Sequence, residues 1–118
     1  MDYSSAWKLA EDLRNSEEYK TYHGLKESVM SEETTAALIR EYRKLQISIQ
    51  MSAMGGRVPD GEEQQRFSGI STLLFSKPEV SQFLLAEMRL QQALADIFRI
   101  LTDAADVEMG MPPIEDQP

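Results

Sequence analysis

The chain has 118 residues, no cysteine, 42% hydrophobic residues and a formal net charge of −8, from 20 acidic and 12 basic residues. That length is one domain, and the missing thiols exclude disulfides, thiolate zinc sites, cysteine-ligated iron–sulfur clusters and cysteine nucleophiles. The acidic balance opposes duplex nucleic acid and anionic membranes, since both select a basic footprint.

No segment reads as a strand, whereas helix start and stop signals are clear. The first stretch is acidic and amphipathic rather than a signal peptide. Its helix is expected over about 3–15, with Tyr3, Ala6, Trp7, Ala10 and Leu13 on one face. Asn15 or Ser16 can cap the next segment, and Asn15–Glu18 has capping-box spacing. Residues 17–30 either continue the first helix with a bend or start afresh. Ser31 is expected to cap a third helix over 31–54, with Glu32 and Glu33 favoured in its first turn by the helix dipole. Its seam is Leu38, Tyr42, Leu45 and Ile49, widened by Ile39, Ile47, Met51 and Met54. Gly55-Gly56 stops it, because glycine accepts left-handed geometry past a helix end. Asp60 and Glu63 form a second box, so a fourth helix begins near Gly61 and carries Phe67, Ile70, Leu73 and Leu74.

Ser76, Pro78 and Glu79 then read as a restart. The helix they open, over 78–103, keeps one seam for six turns: Phe83, Glu87, Leu90, Leu94, Ile97, Leu101 and Ala104. A second seam (Val80, Leu84, Met88, Gln91, Ala95, Phe98) lies beside it, making a stripe wider than one partner helix needs. At about 1.5 Å per residue the helix is about 39 Å long, against a radius near 13 Å for a compact domain of this size. No apolar run approaches the ~20 residues that span a bilayer. The domain is expected over 1–105. Residues 106–118 hold acids and three prolines without periodicity, and are expected to be a disordered acidic tail.

Chemistry is scarce. His23 is the one histidine, with Glu27 four residues on, and a structural role explains it. Glu11, Asp12, Glu17 and Glu18 are dense but lack the Glu-x-x-His pair of di-iron bundles, so a solvated acidic face explains them. Neither glycine-rich nucleotide motif occurs. Glu87, the polar member of its seam, reads as a register device or partner contact, or as an edge residue paired with Arg66 or Arg89. Arg40, Arg43 and Lys44 form the one basic patch, able to meet RNA phosphate or an acidic partner. Intrahelical pairs such as Arg40–Glu33 or Glu41–Lys44 are the simpler reading. Met51, Met54 and Met88 suit either an adaptable groove or core filling.

The order of elements resembles the YlbF/YmcA-like family of small helical bacterial proteins, in its YheA-like branch. The resemblance rests on Ala6–Tyr19, on Ser31–Gln46, on the glycine-containing connector Gly55–Gly61 and on Lys77–Gln91, in that order and spacing, and spans about residues 3–105. It implies an all-α bundle that dimerises and has no enzymatic activity or catalytic residues. It also implies a cytoplasmic regulator of competence, sporulation and biofilm formation, in a complex linked to the endoribonuclease RNase Y. Iron–sulfur binding, attributed to some complexes of that kind, does not transfer to a chain without cysteine.

The expectation is therefore an all-α bundle of four to five helices, dimeric, with long helices at 31–54 and 78–103. It is expected to act as a non-enzymatic regulator or adaptor, without cofactor or metal and without membrane insertion. Phe83, Glu87, Leu90, Leu94, Ile97 and Leu101 are the candidate interface with a second copy or another protein. The alternative is an RNA-binding accessory protein using Arg40, Arg43 and Lys44.

Overall fold

The computed structural model describes residues 1–58 and 60–107. Five helices account for the chain in order, with no strand among the described residues: α1 (Ser4–Arg14), α2 (Glu17–Met30), α3 (Glu33–Met54), α4 (Gly61–Phe75) and α5 (Pro78–Ala105). The all-α class and the two long helices match the sequence expectation. None of the described helices is long and apolar enough to cross a membrane. The acidic tail expected over 106–118 lies, from residue 108 on, outside the described residues.

The helix boundaries obey local hydrogen bonding; the first cap falls on one of the two residues the sequence offered, and two others, at Ser31 and Ser76, differ from the sequence reading. Ser16, not Asn15, opens α2: its Oγ accepts the Tyr19 N–H at 3.2 Å while donating to the Leu13 carbonyl at 2.6 Å. One hydroxyl thus closes α1 and starts α2, which settles the sequence ambiguity in favour of two helices. Ser31 faces backward and donates to the Ser28 carbonyl at 2.7 Å, so α3 begins after Glu32. Ser76 likewise closes α4 by donating to the Leu73 carbonyl at 2.7 Å, and α5 starts on Pro78, whose missing N–H is harmless in a first turn. In each case the hydroxyl is within reach of the orphan carbonyls of the preceding helix.

Of the remaining signals, one works in part and one as read. Asp60 accepts the Glu62 N–H at 3.1 Å and caps α4, although Glu63 reaches across to Ser48 instead of closing the box. Gly56 takes φ +75°, while the Gly56 N–H reaches the Ala53 carbonyl at 3.1 Å and the Arg57 N–H reaches Ser52 at 2.9 Å. That paired closure needs a left-handed residue, which glycine supplies without steric cost.

Backbone contacts divide the chain into two compact units. One runs over His23–Leu84, the other joins Met1–Tyr22 to the chain from Leu85 onward. In the first, α3 and α4 form an antiparallel hairpin. Ser48 meets Glu63 near the connector, Tyr42 stacks on Phe67 with centroids 5.1 Å apart, and Phe75 meets the Tyr42 ring edge-on at 6.1 Å. Farther from the connector, Lys77 Nζ reaches Thr35 Oγ1 at 2.9 Å. Ile39, Leu74, Val80 and Phe83 are the largest fully buried side chains, joined by Val29, Ala36, Leu45 and Leu84, and all lie in this unit. In the second unit the one buried hydrophobic among the described residues is Ala86.

Candidate functional site

The long apolar seam of α5 changes character along its length. Phe83 is sealed, at 0% exposure; Glu87 and Leu90 are half-buried; Leu94 is 47% exposed; Ile97 is half-buried; Leu101 is 55% exposed. Residue type does not explain the change, because the spacing and apolarity continue to Ala104. The N-terminal end of the seam is part of the core of the first unit. From Leu94 on, the same pattern of side chains is open at Leu94 and Leu101 and only half-covered at Ile97.

Glu87 sits between the two regimes. The Tyr22 hydroxyl donates to its Oε2 at 3.4 Å, a contact across 65 positions that no local spacing signals. Of the two arginines considered as partners, Arg66 bonds Glu41 instead. Glu87 is thus partly desolvated and hydrogen-bonded, which lowers the cost of a carboxylate in an apolar seam.

The second uncovered face is on α1, whose sequence pattern suggests a buried stripe. No α1 residue is buried; Trp7 is 76% exposed and Tyr3 62%. The sequence placed these side chains on one face but did not reveal that the face is bare. The signal available was the Asn15-Ser16 break, which separates α1 from α2.

The methionines share the same theme. Met51, Met54 and Met88 are exposed, which overturns core filling for them. In the basic patch, Arg40 and Lys44 are exposed and Arg43 is half-buried. Glu41, on the same turn, is engaged by Arg66 of α4, so the intrahelical Glu41–Lys44 pair gives way to a cross-helix one.

A shallow cleft of about 320 Å³ lies where α2, α3 and α5 of the first unit meet, lined by Ser28, Glu32, Thr35, Lys77 and Glu79 among others. Its polar groups satisfy one another. Lys77 donates to Thr35 and to Glu32, the latter at 3.3 Å, and Ser28 donates to Glu79. The Thr35 hydroxyl and then the Lys77 ammonium hold the Glu32 carboxyl below its ordinary value. Nothing there resembles a nucleophile with its base. Among the described residues no group of three or more His, Asp or Glu could hold a metal ion.

Comparison with known proteins agrees with the resemblance seen in the sequence. A family profile described as control of competence regulator ComK, YlbF/YmcA, matches residues 3–105. A UPF0342 protein of Halothermothrix orenii is 32% identical over 105 residues, covering 89% of each chain. A UPF0342 protein of Symbiobacterium thermophilum is 26% identical over 107 residues, covering 91% of this chain and 96% of the other. Among solved structures, a protein of unknown function (DUF964) from Bacillus stearothermophilus shares the fold, with TM-score 0.69, 17% identity and coverage of 88% and 91%.

Proposed function

The chain belongs to the YlbF/YmcA family, which is linked to control of the competence regulator ComK, and on that footing we propose that it is a non-enzymatic regulatory adaptor that works by pairing helices. The observation that carries this reading is the seam of α5, closed at Phe83 and open at Leu94 and Leu101. Its open part belongs to a unit with no large buried side chain among the described residues. Contiguous apolar surface of that kind favours association over solvent. In this reading Leu90, Leu94, Ile97 and Leu101 form the contact, first with a second copy and then, as a dimer, with protein partners. Phe83 and Glu87 anchor the helix that presents them.

The family supports a role upstream of ComK in the cytoplasm. RNase Y-dependent RNA processing is the route we infer, with effects on competence, sporulation and biofilm formation. Adaptor chemistry needs no acid–base pair, which fits the mutually satisfied polar cleft.

Sedimentation equilibrium at micromolar concentration tests the assembly, and a dimer is expected. Capture from lysate with and without nuclease tests the mechanism. Partners retained after nuclease support protein contacts. Partners lost after nuclease, together with loss on Arg40→Ala or Lys44→Ala, would replace the adaptor reading with RNA binding.

A further inference from the structure

Two bare apolar surfaces belong to the same unit: the Tyr3–Trp7 face of α1 and the Leu94–Leu101 stretch of α5. We propose that α1 is an exchange arm, docking on the Leu94–Leu101 stretch of α5 in a second copy while the second copy's α1 returns the contact. The proposal rests on the helix-pairing reading of the function and names what covers the open seam.

Three observations support the match. The first is length. α1, at 11 residues, is about 16 Å long. The half-open seam from Leu90 to Leu101 runs about 18 Å at about 1.5 Å per residue. A single α1 therefore covers the open part of the seam and no more.

The second is area. Tyr3, Trp7, Leu94 and Leu101 are all exposed large hydrophobics. At roughly 100 Å² of uncovered surface each, and more for the indole, they offer on the order of 500 Å² per copy. A standard interface takes about 800 Å² from each partner, and the polar flanks of the two helices supply the balance.

The third is symmetry. Each copy carries one donor face and one acceptor face, so a two-fold exchange closes and leaves neither exposed. A foreign helix on the seam would leave both α1 faces bare. The one-hydroxyl junction at Ser16 is the natural pivot, because it breaks the helix between α1 and α2 without inserting a loop.

Trp7 is the single tryptophan of the chain, so its emission reads the docking directly. On concentrating the unmodified protein, the Trp7 emission should shift to shorter wavelength with the same midpoint as the mass transition in sedimentation. A mixing experiment then separates exchange from folding back. The Leu94→Glu chain keeps its arm but spoils its seam; the Trp7→Phe chain keeps its seam and is silent at tryptophan wavelengths. Adding the second to the first should shift the Trp7 emission to shorter wavelength. No shift on mixing overturns exchange, whether the arm packs on its own α5 or nowhere. If Leu94→Glu does not fold, Leu101→Glu takes its place, and the concentration series needs no substitution at all. A dimer whose Trp7 emission stays unchanged overturns the arm while leaving the α5 interface standing. A monomer at every concentration overturns both.

Discussion

Phe83 and Leu94 occupy the same seam three turns apart, and truncating each to alanine should give different costs with different concentration dependence. Phe83 is fully buried in the single chain. Removing its ring leaves a cavity, and such changes cost about 3–5 kcal/mol. Against a total stability of about 5–15 kcal/mol, Phe83→Ala should shift the urea midpoint strongly at any protein concentration. Leu94 is 47% exposed, so about half its side chain is already in water. Full burial of a leucine is worth about 1.5–3 kcal/mol, so Leu94→Ala should cost about 1 kcal/mol where the chain is monomeric. Once a second copy covers the site the cost should rise toward the roughly 2–5 kcal/mol of a closed core, because association adds to apparent stability by mass action. Urea unfolding of both variants, monitored by circular dichroism at two concentrations about a hundredfold apart, separates the cases. If Leu94→Ala costs as much as Phe83→Ala at the low concentration, the seam is already closed within one chain. If its cost stays near 1 kcal/mol at both concentrations, Leu94 is not at an interface.

The local structure carries further consequences. The Arg66–Glu41 pair is exposed on the arginine side (59%) and partly exposed on the glutamate side (34%), so Arg66→Ala should cost less than about 1 kcal/mol and the cost should shrink with salt; a loss above about 2 kcal/mol would contradict a surface pair. Asp60→Ala removes the α4 cap and should cost about 1 kcal/mol in thermal unfolding, with no measurable loss counting against the cap. Gly56→Ala forces a side chain into φ +75° and should cost about 1–2 kcal/mol, and a neutral result would mean the turn relaxes. The depressed Glu32 carboxyl, bonded by Thr35 and Lys77, makes a contribution present above the usual glutamate range and lost as pH falls through its lowered folded value. A carboxyl-carbon titration should find Glu32 below the ordinary glutamate value, and an ordinary value would refute the Thr35–Glu32–Lys77 arrangement.

The fold class and the helix ends were legible because both are local. Seams with steps of three and four fix helical period, and hydroxyls or carboxylates placed before apolar runs mark the breaks. Even there, Ser16, Ser31 and Ser76 show the limit: sequence placed a polar residue at each junction, but whether its oxygen serves the helix behind or the helix ahead depends on the chain path. The candidate surface was half legible. The α5 stripe was visible as too wide for one partner, and Phe83 to Leu101 share one residue pattern. Which part is covered the pattern does not say: Phe83 is sealed in the core of its own unit, while Leu94 and Leu101, in the other unit, are open. The Tyr22–Glu87 bond and the Arg66–Glu41 pair depend on side chains 65 and 25 positions apart meeting, which periodicity does not encode. The bare face of α1 is the same lesson: an amphipathic pattern states that a helix has a side to bury, and only the tertiary structure shows that no α1 residue is buried among the described residues.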